Sequence, residues 1–214
     1  MIISPARRYI FVHIPKTGGT AFSLALEERA HKDDILIGDT PKAIRRRNRL
    51  KGLNAAGRLW KHSTLADIEG VLAPETMDEM MVVALVRNPW DRVVSYYHWL
   101  REQSFEHPAV GVAKATDFKE FVRTPEIRDS LRHNSYGSYF RLRGVEKPAL
   151  FIRLERFSDE IAPFERHLGF RITLPKVNES PRDRDFRRYF DSETKQIVAQ
   201  ECAEDINRFT YSYD

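Results

Sequence analysis

The feature that most constrains the fold is a strand, a glycine turn and a helix that follow one another near the start of the chain. Residues 9–14 form a β-rich apolar run, and residues 21–30 are rich in helix formers. Gly18 and Gly19 lie in the short turn between them. A run that is apolar on both faces is typical of a buried strand in a parallel sheet. The pattern therefore predicts a βα unit.

The same succession of strand and helix occurs twice more. Residues 80–86 are continuously apolar and precede helical spacing over residues 91–103, and residues 149–154 form a third core strand. Strands that alternate with helices imply a parallel sheet with helices on both faces. Ligands bind such sheets at the carboxyl ends of the strands. We therefore expect the functional loops to follow Ile14 and Val86.

Capping signals predict the remaining helices. Thr40 followed by Pro41 is typical of a helix start. A helix is also expected from Ser63 or Thr64 onwards, with Leu65 and Ile68 directed inward. The other predicted helices cover residues 116–122 and 124–131, the segment from Ser158 to Leu168, and residues 192–209.

The size and composition of the chain limit the classes of protein to consider. With 214 residues, 42% of them hydrophobic, one core suffices and no linker is evident, so a single domain, residues 1–214, is expected. The formal charge of +4 suits an anionic ligand, but it is weaker than the charge of most nucleic-acid-binding domains, and no nucleic-acid partner is expected. The sequence has neither a signal peptide nor an apolar run of the roughly 20 residues that span a bilayer, which predicts a cytoplasmic protein without a transmembrane segment.

Metal and disulfide chemistry are not expected. Cys202 is the only cysteine, which excludes an intramolecular disulfide and a site built from several cysteines. The seven histidines are scattered and do not have the spacing of metal ligands. We therefore expect no metal site.

The turn between the first strand and helix has the composition of an anion-binding loop. Two glycines let backbone amides converge on a ligand, and the positive end of the following helix adds to the attraction. A lysine supplies a mobile charge and two threonines supply hydroxyl donors. The six residues of this loop are Pro15, Lys16, Thr17, Gly18, Gly19 and Thr20. Their order differs from a Walker A loop, because Lys16 precedes both glycines. A phosphotransferase or NTPase on a P-loop-like scaffold remains an alternative.

Residues 11–20, Phe-Val-His-Ile-Pro-Lys-Thr-Gly-Gly-Thr, resemble the 5′-phosphosulfate loop of sulfotransferases that use 3′-phosphoadenosine 5′-phosphosulfate (PAPS). The similarity is greatest to the bacterial sulfotransferase family 2 type, which is related to heparan sulfate 2-O-sulfotransferase. The resemblance implies a P-loop-like three-layer α/β/α fold around a central parallel sheet. It also implies transfer of a sulfuryl group from PAPS to a hydroxyl acceptor, with adenosine 3′,5′-bisphosphate (PAP) as product. We expect the acceptor to be a carbohydrate.

A second segment resembles the 3′-phosphate motif of the same family. Residues 86–97 read Val-Arg-Asn-Pro-Trp-Asp-Arg-Val-Val-Ser-Tyr-Tyr. The resemblance implies that Arg87, which ends a strand, and Ser95, in the next helix, hold the 3′-phosphate. The planar guanidinium of arginine suits a phosphate group. Residues 178–180, Asn-Glu-Ser, resemble the family's Asn-x-Ser loop, which places Ser180 near the nucleotide, and Arg182 is a further candidate.

Two residues are assigned to chemistry. The ammonium of Lys16 is expected to neutralise charge that develops on the leaving nucleotide, and His62 resembles the histidine base of relatives. A histidine with a near-neutral pKa is suited to removing a hydroxyl proton. His13 lies inside the first strand and is interpreted as structural, whereas His98 and His133 are weaker candidates for contacts in the cleft or with the substrate.

A third function, from another class, is also open. Residues 45–51 concentrate positive charge, which could bind a nucleotide or an acidic polymer in a protein without catalytic activity. A solvated helix face is the simpler interpretation of such a run.

Overall fold

The structure is a computed structural model in which residues 1–175, 177 and 182–214 are described. The strands are β1 (Ile2–Ser4), β2 (Tyr9–Phe11), β3 (Ile35–Leu36), β4 (Met81–Val86), β5 (Arg141–Leu142), β6 (Val145–Glu146) and β7 (Leu150–Arg153). The α-helices are α1 (Gly19–Glu28), α2 (Pro41–Arg46), α3 (Pro74–Asp78), α4 (Pro89–Arg101), α5 (Pro108–Ala115), α6 (Phe118–Arg123), α7 (Pro125–His133), α8 (Phe157–Glu160), α9 (Ala162–Leu168), α10 (Ser192–Glu201) and α11 (Ala203–Phe209). Among the described residues, 3₁₀ helices cover Arg47–Leu50, Tyr136–Phe140, Leu154–Arg156 and Phe186–Tyr189.

The main sheet has five strands in the order β3-β1-β2-β4-β7. Strand β4 pairs in parallel with β2 on one side and with β7 on the other. Strand β1 is antiparallel to both of its neighbours, β2 and β3. The expected α/β class is confirmed, with a central, mostly parallel sheet flanked by helices. The sequence analysis did not identify the antiparallel strand β1.

The chain forms two compact units. Unit 1 comprises Met1–Val86 and Gly137–Asn178, and unit 2 comprises Arg87–Tyr136 and Glu179–Asp214. The expectation of a single domain over residues 1–214 stays a prediction, and each unit is described by itself.

Unit 1 contains the sheet and a core of aliphatic and aromatic side chains. Phe22 of α1 is fully buried and contacts Phe11 of β2 edge-on, with ring centroids 4.9 Å apart. Phe164 of α9 packs edge-on against Tyr9 at 5.3 Å. Edge-to-face pairs stabilise a core beyond the apolar area that they bury. These contacts join α1 and α9 to strand β2.

Unit 2 is helical in the part of the chain that the structure describes. Its core combines one face of α4 with residues of α5, α6 and α10, and includes Val94, Phe121 and Val198, each fully buried. Helix α10 begins with a capping box, in which Asp191 and Thr194 each bond to the other's backbone. Such reciprocal capping satisfies two amides that a helix otherwise leaves unpaired. Cys202 follows α10, and burial raises the pKa of its thiol to about 12.

Several predicted elements are confirmed within one to three residues. Thr40 caps α2 through a hydrogen bond from the Ala43 amide, and Pro125 begins α7. The predicted helix over residues 192–209 is interrupted at Cys202, which separates α10 from α11. Ser158 lies inside α8 and does not cap it.

The helix predicted from Ser63 onwards is wrong, because residues 61–72 form turns. The Ser63 hydroxyl bonds to the carbonyls of Arg58 and Trp60, and Asp67 accepts from the amide and hydroxyl of Thr64. Local bonds of this kind compete with helical hydrogen bonds. Leu65 and Ile68 are nonetheless buried, as the apolar spacing predicted.

No helix among the described residues is long and apolar enough to cross a membrane.

Candidate functional site

In unit 1, residues 15–20 form the turn that follows strand β2 together with the first two residues of helix α1. We call these six residues the glycine loop. Gly18 is the N-cap of α1 and has φ of 84°. Lys16 also has a positive φ, of 65°. A left-handed backbone is costly for a residue with a Cβ atom, and such strain concentrates at functional sites. The strained lysine therefore marks the loop as a candidate site.

The two glycines of the loop are required for different reasons, Gly18 chiefly by its positive φ of 84° and Gly19 by a close contact. A Cβ atom on Gly19 would lie 2.1 Å from Cδ2 of His13, and one on Gly18 would lie 2.9 Å from Cδ1 of Leu154. His13 is almost fully buried and has little room to move. The backbone of α1 can therefore start directly against the His13 ring only because residue 19 is glycine.

The hydroxyl of Thr17 stabilises the loop from within. Thr17 is fully buried, and its Oγ1 donates to the carbonyl of Ile14 over 2.9 Å. Gly18 has no side chain with which to cap the first amides of α1. Pro15, Lys16 and Thr20 are half-buried. A helix start without a side-chain cap, beside a lysine, is suited to an anion.

His62 lies against the strand that precedes the glycine loop. Its Nδ1–H donates to the carbonyl of His13 over 2.7 Å, and the two imidazole rings are 4.7 Å apart at their centroids. Trp60 packs edge-on against the His62 ring, with centroids 5.0 Å apart. Because the Nδ1 proton bonds to a carbonyl, Nε2 is the nitrogen that can accept a proton.

The pKa of His62 is lower than the near-neutral value expected from the sequence. Burial lowers the pKa of His62 to about 4, although the hydrogen bond to His13 opposes this shift. Burial also lowers the pKa of His13 well below its usual value. Both imidazoles are therefore neutral at physiological pH, and His62 is in the proton-accepting form.

In unit 2, three charged side chains form a network that we call the arginine cluster: Arg87, Asp91 and Arg182. Nε of Arg87 donates to Oδ2 of Asp91 over 2.9 Å, and its Nη2 makes a second, short bond to the same oxygen. Nη2 of Arg182 donates to Oδ1 of Asp91 over 2.7 Å. All three side chains are largely buried, with exposed fractions of 15%, 17% and 10%. One carboxylate thus holds two guanidinium groups.

The backbone of Arg87 is held by Tyr136. The Tyr136 hydroxyl donates to the Arg87 carbonyl over 2.5 Å, and the Tyr136 amide donates to Asp205 over 2.8 Å. Burial raises the pKa of the Asp205 carboxyl to about 6. Ser95 is 8% exposed on α4.

The other candidates are distributed over the chain. His133 is exposed at the end of α7 and bonds to the Asp129 carbonyl, within its own helix. Residues 45–51 are mostly exposed, but Arg46 and Arg49 bond to the carbonyls of His31 and Lys32. Ser180 lies outside the described residues. The described part of the chain contains no group of three or more histidine, cysteine, aspartate or glutamate residues that could hold a metal ion.

Sequence reasoning missed Asp91, Tyr136 and Trp60. The spacing of Asp91 four residues after Arg87 is a signal for an ion pair on a helix. Nothing local indicates that Tyr136 bonds to Arg87 or that Trp60 packs against His62.

No protein-family model matches the chain. A search of curated proteins found no match either. Among solved structures, the chain is similar to mouse sulfotransferase SULT7A1 complexed with PAP. The identity is 15%, the similarity covers 95% of this chain and 86% of the mouse chain, and the TM-score is 0.54. The two proteins share a fold.

Proposed function

We propose that the protein is a sulfotransferase that moves the sulfuryl group of PAPS to a hydroxyl acceptor. The observation that carries the proposal is the glycine loop, in which a strained lysine stands beside the uncapped start of α1. The fold shared with a PAP-complexed mouse sulfotransferase supports it. The resemblance of residues 11–20 to the 5′-phosphosulfate loop of sulfotransferases also supports it. On this basis the loop, Pro15 to Thr20, is assigned to the 5′-phosphosulfate.

The reaction has one bond made and one bond broken at sulfur. The acceptor oxygen attacks the sulfur atom, and the bond between sulfur and the 5′-phosphate oxygen breaks, so that PAP leaves. Nε2 of His62 takes the hydroxyl proton, and the Lys16 ammonium stabilises the negative charge on the leaving oxygen. Transfer of this kind depends on positioning and charge stabilisation more than on covalent catalysis.

The neutral state of His62 supports its role as the base. The bond from Nδ1 to the His13 carbonyl fixes the ring orientation and leaves Nε2 to accept. A pKa of about 4 gives a modest driving force for proton transfer. Negative charge from a bound donor raises the pKa of a neighbouring imidazole and so strengthens the base.

The arginine cluster is assigned to the 3′-phosphate. Arg87 and Arg182 offer two planar guanidinium groups, and Ser95 offers a hydroxyl. Two arginines on one anion give directional, charge-assisted hydrogen bonds. The position of Ser180 near the nucleotide and the cytoplasmic location also stay predictions. The proposed acceptor is a carbohydrate, as the family resemblance suggests.

The test is a pair of measurements on the whole chain. Calorimetry should give tighter binding of PAP than of adenosine 5′-monophosphate, and Arg87→Ala should abolish most of this preference. Labelled PAPS, offered with a panel of sugars and other hydroxyl compounds, should yield a sulfated product. Equal affinity for the two nucleotides would remove the role of Arg87 and Ser95.

A matched lysine separates chemistry from general charge effects. Lys16→Ala should abolish turnover, whereas Lys32→Ala, at an exposed position of the same unit, should not change it. Turnover of ATP with Mg²⁺, without sulfuryl transfer, would instead support the phosphotransferase alternative.

A further inference from the structure

Two buried polar atoms in unit 2 are without a hydrogen-bond partner among residues 1–175, 177 and 182–214. They are Nη1 of Arg182 and Nε2 of His98. The Arg182 side chain is nine-tenths buried. Buried polar groups are nearly always hydrogen-bonded, and an unsatisfied guanidinium nitrogen is costly. Each of the two atoms therefore lacks the partner that a buried polar group normally has.

His98 lies on the face of helix α4 that carries Asp91, the residue to which Arg182 bonds. Asp91, Ser95 and His98 are spaced by four and three residues, which places them on the same helical face. Arg182 bonds to Asp91 at one end of this face. The charge of Arg182 also acts on His98. Arg182 therefore interacts with two residues of this face, Asp91 and His98.

Other groups around His98 come from its own helix and from the segment after residue 182. Burial is the main reason that the pKa of His98 is lowered, and the charges of Arg182 and Arg101 add to the effect, while Glu102 opposes it. The rings of Tyr97 and Tyr189 pack edge-on against the imidazole, at 5.4 and 5.2 Å. His98 is thus a neutral imidazole in a positively charged setting.

We propose that His98 is a proton-linked ligand of the 3′-phosphate, which it binds through Nε2 together with Arg87, Ser95 and Arg182. The inference rests on the proposed function, and it names a residue that neither the motif match nor the fold comparison assigns. The ligand class is a phosphate monoester dianion. The ligand keeps all of its bonds, and the proton that His98 gains comes from solvent.

The sign of the proton linkage follows from the charges. A dianion beside His98 favours the imidazolium form, so binding raises the pKa of the imidazole and takes up a proton. The contribution of His98 to affinity is then largest at low pH and declines as the pH rises. The carboxylate of Asp91 holds the two guanidinium groups and limits the excess of positive charge.

The experiment compares the wild type with His98→Gln, which keeps a neutral hydrogen-bond donor but cannot titrate. PAP and adenosine 5′-monophosphate are titrated calorimetrically in buffers of different ionisation enthalpy, near pH 6.5 and near pH 8, where an ordinary histidine changes charge. The second ionisation of the ligand, with a pKa of about 6, is common to both proteins and cancels in the comparison.

We expect the wild type to take up more protons with PAP than His98→Gln does, by on the order of 0.3 proton near pH 6.5. The variant should bind PAP roughly 3- to 10-fold more weakly at that pH, as for the loss of one charge-assisted hydrogen bond. Its affinity for adenosine 5′-monophosphate should equal that of the wild type. His133→Gln, which removes an exposed histidine of α7, should behave as the wild type in every measurement.

The outcomes separate the two proposals. If the wild type prefers PAP but both proteins take up the same number of protons, His98 is not a ligand and the inference fails alone. If His98→Gln weakens the binding of both nucleotides by the same factor, the role of His98 is structural and the inference again fails. If the wild type does not distinguish the nucleotides, the proposed function fails and the inference fails with it. His98→Asn serves as a second variant should His98→Gln unfold, with the fold checked by circular dichroism.

Discussion

The glycine loop of unit 1 and the arginine cluster of unit 2 differ in what holds them in place. In the glycine loop, backbone geometry is decisive: Lys16 and Gly18 have positive φ, and the Thr17 hydroxyl bonds within the loop. In the arginine cluster, long side chains are held by ion pairs through Asp91, and one guanidinium nitrogen is unsatisfied among the described residues. The glycine loop is thus held by its own backbone, whereas the arginine cluster is held by interactions between side chains.

This difference predicts that the two regions respond differently to mutation. A change in the loop alters the backbone conformation and should affect turnover strongly, because small displacements of reacting groups are costly. A change in the cluster removes one contact among several and should mainly affect binding. Four substitutions test this contrast.

Lys16→Gly should separate function from stability. Removal of the ammonium should reduce turnover by about 10³-fold, the upper range for the loss of one stabilising donor. Glycine also relieves the left-handed strain at φ of 65°, which should stabilise the fold by about 1 kcal/mol. Thermal unfolding and sulfuryl-transfer kinetics measure the two effects.

The control for Lys16→Gly is Thr210→Gly, at an exposed position with φ of 54°. It should gain similar stability without loss of turnover. A stable and fully active Lys16→Gly would show that the lysine has no part in the reaction.

Gly19→Ala should disrupt the loop through a steric clash. The new methyl group would lie 2.1 Å from the His13 ring, so the loop must move, and we expect turnover to fall by about 10²-fold. Overpacking should also destabilise unit 1 by about 1–3 kcal/mol. Denaturant unfolding and the steady-state rate would measure these effects.

Gly111→Ala is the matched control for Gly19→Ala, because a Cβ atom at position 111 of α5 meets nothing within 4 Å. Alanine inside a helix should stabilise by roughly 0.5–1 kcal/mol relative to glycine. Equal behaviour of the two variants would contradict the close approach of α1 to His13.

His62→Gln should lower turnover by about 10²-fold, the lower end for a general base, since a base of low pKa contributes less. The affinity for PAP should be unchanged. Because burial lowers the pKa of His62 to about 4, the base form persists at neutral pH and is lost only as the pH falls towards that value. A discontinuous assay with labelled donor, run over a range of pH, measures the loss of turnover and its pH dependence.

His31→Gln alters a partly exposed histidine of the same unit and should leave the pH profile unchanged. Normal turnover in His62→Gln would remove His62 from the mechanism.

Tyr136→Phe should have the smallest effect. It removes the bond to the Arg87 carbonyl and should destabilise unit 2 by about 1 kcal/mol, with a few-fold loss in affinity for PAP. Tyr213→Phe, which removes an exposed bond to the Arg187 carbonyl, should change stability by less than about 0.5 kcal/mol. A loss of turnover in Tyr136→Phe comparable to that of Lys16→Gly would erase the contrast between the two regions.

The sequence predicts those features that depend on neighbours along the chain. The strand, glycine turn and helix around residues 9–30 were predicted because apolar period and glycine content act locally. The same holds for the cap at Thr40 and for the helix start at Pro125. The helix expected from Ser63 failed because side-chain bonds to the backbone, through Ser63 and Asp67, replaced helical ones.

The candidate residues also differ in how much of their role the sequence alone could predict. Lys16 and Arg87 could be selected from motif and position alone. The low pKa of His62 could not, because it depends on burial against His13, 49 positions away in the chain.

Local composition is enough to predict the α/β class, the loop that follows the first core strand and the arginine at the end of the second. The pairing of Asp91 with Arg182, 91 positions further along, and the bond from Tyr136 to Arg87 depend on the tertiary fold. The physical reason is that a charge or a hydroxyl specifies the kind of partner it needs, while the folded backbone specifies which partner comes within 3 Å.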